Sequence, residues 1–127
     1  NGMKVPFDAL TVRAKEEYEL VKTDEIQPIL EDRGRVRNYP LFPDDENRPF
    51  AVYYLELDPG SFWESEPHLK GTAELITVFG GRIEINAGIR QFWVGERESV
   101  RFRADTVHSY RNVGEKTAIL HMILFYP

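Results

Sequence analysis

The chain has 127 residues, no cysteine and a net charge of −5 from 16 basic and 21 acidic residues. That length is one domain's worth of material, and 42% hydrophobic with 13% aromatic residues supplies a packed interior, which excludes a wholly disordered chain. The cysteine count excludes disulfides, zinc ribbons and thiol catalysis, no apolar run approaches the roughly 20 residues of a membrane span, and the scattered basic residues argue against this chain gripping a phosphate backbone by itself.

In chain order, Asn1-Gly2-Met3 reads as an expression scar on an excised fragment, and residues 1–17 as a lead-in or linker in which Val5-Pro6-Phe7 is an apolar hook. Tyr18 to Lys22, Ile29-Leu30 and Val36 to Leu41, the last two separated by the Asp32-Arg33-Gly34 turn, are expected as edge strands. Pro40, Pro43 and Pro49 with the acidic Asp44-Asp45-Glu46 mark an exposed loop. Beyond Phe50 the pattern becomes strand after strand: Ala51 to Leu57, Glu74 to Phe79, Arg82 to Ile85, Ile89 to Val94, Ser99 to Arg103 and Ala118 to Tyr126. Asp58-Pro59-Gly60, Gly80-Gly81 and Asn86-Ala87-Gly88 supply turns between them. Without a convincing amphipathic helix, this predicts an all-β sandwich or barrel over residues 18–127, closed so that its edges are not exposed.

Two of the three histidines stand where chemistry can gather. His68 follows Gly60 and Glu66-Pro67 and precedes Gly71, Glu74 and Gly81; His108 ends Ala104-Asp105-Thr106-Val107 and is followed by Tyr110 and Asn112. These blocks resemble the paired motifs of the cupin superfamily, which implies a double-stranded β-helix, a jelly-roll-like barrel. The spacings from Glu74 to Gly81 and from His108 to Asn112 fit that pattern. Glu66 replaces the first metal histidine of the family, the gap from His68 to Glu74 is too long by one or two residues, and Arg103-Ala104-Asp105 stands in place of a Pro-x-Gly turn. The resemblance implies a divalent metal (zinc, iron, manganese or nickel) held by His68, Glu74 and His108, with Glu66 as a fourth candidate donor. Two imidazoles and one carboxylate leave open coordination positions. The same residues also suit a plain surface loop and a histidine bonded only to a neighbouring carbonyl.

Strand alternation places Glu74 on one face with Ile76 and Val78, Tyr53 with Leu55 and Leu57, and His108 with Tyr110. Tyr53, Leu55, Ile76, Val78 and Tyr110 are therefore the predicted lining of a ligand pocket, or else simply the filling of a small barrel. His121, amid Ile119, Leu120, Met122 and Ile123, reads as a hydrogen-bonded core histidine. Arg97, Glu98, Arg101 and Arg103 suit either anion contacts or a solvated strand face.

A narrower similarity covers nearly the whole chain. Val5-Pro6-Phe7, Leu41-Phe42-Pro43, Ser65-Glu66-Pro67-His68 and the run from Arg101 to Asn112 resemble the C-terminal cupin domain of XRE-type helix-turn-helix regulators. This implies an effector-sensing, homodimeric domain in the cytoplasm, reaching DNA only through a separate N-terminal domain and having no membrane partner. Its partners would be a small-molecule effector and a second copy, with the loop around Phe42 as the expected dimer surface. The alternative is a metal-dependent enzyme of dioxygenase or isomerase type.

Overall fold

The structure, a computed structural model, describes residues 18–127; the expected lead-in over 1–17 lies outside the described residues. Ten strands follow one another: β1 (Ile29–Glu31), β2 (Val36–Phe42), β3 (Phe50–Leu57), β4 (Phe62–Ser65), β5 (Ala73–Gly80), β6 (Ile83–Ala87), β7 (Arg90–Val94), β8 (Glu98–Arg103), β9 (His108–Asn112) and β10 (Ala118–Phe125). They form an all-β cupin fold of two antiparallel sheets, six-stranded in the order β1-β2-β3-β10-β5-β8 and four-stranded in the order β4-β9-β6-β7. As expected, the N-terminal strands extend one sheet.

Period-two patterning builds the interior. In the six-stranded sheet, cross-strand register aligns Ala51, Leu124 and Glu74 in one row, Tyr53, Met122 and Ile76 in the next, and Leu55, Leu120 and Val78 in a third. Opposite them, Ile85 of β6 pairs with both Tyr110 of β9 and Phe92 of β7. The inward aliphatic side chains are almost entirely removed from water, and each such burial stabilises the fold by about 1.5–3 kcal/mol. At the turn from β5 to β6 Gly81 has φ +78° and lies so close to β10 that a Cβ there would stand 2.9 Å from Ala118 Cα.

Several expectations need correction. Tyr18 to Lys22 is not a strand: Tyr18, Glu19 and Leu20 are exposed with no strand beside them, and a 3-10 turn follows at Thr23–Glu25. Pro40 lies inside β2, at a register shift against β3 where its missing N–H is tolerated. Asn86 and Ala87 extend β6, so the turn to β7 is only Gly88-Ile89. Closure is incomplete, since β7 and β8 are edge strands of different sheets and do not pair with each other. His121 is not in the core; it is half-buried on the outer face of the six-stranded sheet, beside the Phe79 ring at 6.4 Å. No described helix is long and apolar enough to cross a membrane.

Candidate metal centre and ligand pocket

His68 lies in the loop between β4 and β5, and three hydrogen bonds dock that loop on the turn preceding β9. The His68 amide donates to the Ala104 carbonyl (2.9 Å), the Ala104 amide to the Thr72 carbonyl (2.9 Å), and the Gly71 amide to an Asp105 carboxylate oxygen (2.8 Å). Asp105 also pairs with Arg103. Residues that depart from the family turn thus hold the site together, because the Asp105 carboxylate ties the His68 loop to the His108 turn. The Gly71 amide, followed by the Arg103 guanidinium, holds Asp105 below the usual carboxylate range.

Glu74 projects inward from β5 and is fully buried; His108 opens β9 and is buried beside it. Ligand atoms of His68, Glu74 and His108 all lie within 4.8 Å of one another. Glu74 Oε2 is 3.5 Å from His108 Nε2 and 4.0 Å from His68 Nε2. Donors sharing an ion at about 2.0–2.2 Å must stand somewhat over 3 Å apart, so the cluster is nearly at coordination spacing.

Two of these atoms lack partners: Glu74 Oε2 and His108 Nε2 are buried without a hydrogen bond. Their companion atoms are occupied. The Tyr110 hydroxyl donates to Glu74 Oε1, and His108 Nδ1 lies 2.7 Å from the Thr106 carbonyl, an arrangement that suits an Nδ1–H donor and leaves the Nε2 lone pair free. Buried polar atoms are normally paired. Orphans on the two atoms that a cation would take are the observation that fits these residues to a divalent metal.

Electrostatics separate the two imidazoles. Burial lowers the His68 pKa, against the attraction of the Glu74 charge. For His108 burial also pulls downward, but the facing Glu74 carboxylate and the Thr106 carbonyl together outweigh it, and the net shift is upward. Burial, then the Glu74 charge and hydrogen bond, push the Tyr110 phenol well up, so Tyr110 stays protonated and keeps donating.

Of the residues expected at the site, the structure gathers His68, Glu74, His108 and Tyr110. Glu66 is exposed and outside the cluster. Tyr53 is half-buried, one row below Glu74; Ile76 shares its row, and Leu55 and Val78 lie in the row beneath as tightly packed floor. Sequence reasoning missed the aromatic wall. Trp63 stacks on Tyr110 with centroids 4.9 Å apart, and Phe102 meets the edge of His108 at 5.7 Å. No sequence signal marked the inward Trp63, since Phe62-Trp63-Glu64-Ser65 alternates in burial but not in polarity.

A double-stranded β-helix with an inward His, Glu and His cluster is the architecture of a cupin, and the chain belongs to the Cupin_2 family (cupin domain), which it matches over residues 53–124. It is similar to the HTH-type transcriptional regulator SutR of Escherichia coli (strain K12), 36% identical over 87 residues. That alignment covers 68% of this chain and 49% of SutR, so the chain spans about half the length of this relative. Among solved structures, the Cupin_2 domain of an XRE family transcriptional regulator from Enterobacter cloacae is 32% identical with a TM-score of 0.68, covering 73% of this chain and 98% of that one. An HTH_3 family transcriptional regulator from Vibrio cholerae, 24% identical with a TM-score of 0.72, covers 83% of this chain and 57% of that one and shows the fold alone. The resemblance to cupin domains of XRE-type regulators is therefore established.

Proposed function

We propose that this chain is the effector-sensing and dimerising cupin domain of a cytoplasmic transcription regulator. Residues 18–127 form the barrel domain in this reading, and 1–17 link it to a separate DNA-binding helix-turn-helix domain. The site observation behind it is the pair of orphaned buried atoms, Glu74 Oε2 and His108 Nε2, within reach of His68; similarity to regulator cupin domains supplies the biological role. A divalent ion held by the three side chains would present open positions to a small effector as a Lewis acid. Binding that favours one dimer geometry would then bias the spacing of two DNA-binding domains.

Three donors with open positions also suit a metal-dependent enzyme. Against that reading, the Tyr110 hydroxyl is already committed to Glu74 and the phenol is pushed well above its ordinary pKa. The phenol bonded to the cluster is therefore not free to carry a proton, which favours sensing over proton transfer.

Exposed apolar side chains on the outer face of the six-stranded sheet, Phe79 and Phe125 beside the half-buried Leu75 and Ile123, support self-association. Light scattering combined with duplex-DNA gel shifts tests the proposal. The 127-residue chain should be a dimer at high micromolar concentration and should leave duplex DNA unshifted at physiological salt. A monomer at that concentration contradicts dimerisation, and a salt-sensitive DNA shift contradicts assignment of DNA binding to another domain.

A further inference from the structure

The side of the barrel left open by incomplete closure is a cleft of about 350 Å³ between β7 and β8. Each strand is paired on one side only, β7 to β6 and β8 to β5, so each presents unpaired main-chain N–H and C=O groups toward the opening. The cleft is lined by Arg90, Phe92, Arg101, Phe102, Arg103 and Thr106, among others.

Its charge and its floor differ in character. Three arginines line the cleft in a chain whose net charge is −5. Arg103 is neutralised by Asp105, whereas among the described residues Arg90 and Arg101 make no ion pair. Beneath them lie Phe92 and the nearly buried Phe102, with ring centroids 6.4 Å apart. Arg90 already sits over the Phe92 ring at 5.5 Å, so one cation is placed against the aromatic wall before any ligand arrives.

Guanidinium groups are matched to carboxylate by fork geometry, free edge N–H groups add donors, and two phenyl rings offer an apolar surface that an inorganic anion would leave uncovered. We propose that the β7–β8 cleft binds a small arylalkyl carboxylate, its carboxylate among Arg90, Arg101 and Arg103 and its ring on Phe92 and Phe102. Thr106 lines the cleft while its carbonyl contacts His108 Nδ1, so an occupant touches the turn that orients the metal-site imidazole. The cleft shares Phe102 with the wall of the metal centre but contains none of its three ligands, and its occupancy does not require a metal.

Calorimetry and backbone-amide NMR on chelator-treated protein, with phenylpropionate as the probe, test this. Phenylpropionate should shift the amides of residues 90–92 and 101–103, bind about tenfold or more tightly than phenylpropanamide, and lose at least about tenfold in affinity in the Arg90→Gln/Arg101→Gln variant. Because the protein is stripped of cations beforehand, binding under these conditions separates the cleft from the metal site. Several results would overturn the proposal: equal binding of the amide, unchanged affinity in the double variant, shifts confined to Tyr53 and Trp63, or no shift up to about 10 mM probe. Inorganic sulfate binding as tightly as phenylpropionate would overturn the aromatic-ligand assignment.

Discussion

A saturating divalent cation is expected to raise the melting temperature of the chain by roughly 10 °C, and His108→Ala to remove nearly all of that rise. A ligand that binds only the folded state stabilises it by about 2.7 kcal/mol at a hundredfold excess over Kd, which corresponds to roughly that shift for a chain of this size. His108 supplies an unpartnered Nε2 held in place by the Thr106 carbonyl, so its removal deletes a donor that neither His68 nor Glu74 can replace. Glu66→Ala should keep the rise, because Glu66 is exposed and outside the cluster. The metal-dependent increment should also shrink below about pH 6, where protons compete for the imidazole lone pairs. Without metal the sign reverses. The raised folded-state pKa of His108 means that its contribution is fully present below the ordinary imidazole pKa and is lost as pH rises through the folded value. Melting curves at two pH values, with and without cation, check both halves; a His108→Ala protein that keeps the full cation-dependent rise would remove His108 from the site.

Asn112→Ala should destabilise the chain by about 3 kcal/mol or more, whether or not a metal is present. The side chain is buried and fully bonded: Nδ2 donates to the Leu57 carbonyl at 2.8 Å and the Lys116 carbonyl at 2.9 Å, while Oδ1 accepts from the Gly114 amide at 2.8 Å. One residue thereby joins β9, the end of β3 and the turn leading to β10. Alanine would strand the buried Leu57 carbonyl, release the part-buried Lys116 carbonyl and Gly114 amide, and leave a small void. Urea unfolding of chelator-treated protein measures the loss. A cost below about 1 kcal/mol would mean that this network is not what anchors the turn.

The contrast between β10 and β9 explains how far the fold was legible. In β10, alternating Ala118, Leu120, Met122 and Leu124 is enough to identify a strand and its inward face. The inward residues of β9 are His108, Tyr110 and Asn112; this strand serves the site and the turn network, so it lacks the aliphatic signature and was absent from the expected strands. Short β4 escaped for want of length, and Trp63 escaped with it. His121 was misplaced because β10 is apolar on both faces, so composition around it could not distinguish the interior from the outer surface. For the site, motif spacing brought His68, Glu74 and His108 to attention. The role of Asp105 as the tie between two loops depends on a contact across 34 residues, which no local pattern encodes.

The chain has three histidines, which gives the metal site a built-in control. Long-range proton–nitrogen NMR of the imidazoles, recorded during a zinc titration of chelator-treated protein, reads all three at once. The expected result is a change in His108 Nε2 and in a ring nitrogen of His68, complete at one equivalent of zinc, while His121 on the outer sheet face stays unmoved. Unchanged His68 and His108 signals, or a change confined to His121, would contradict the metal centre.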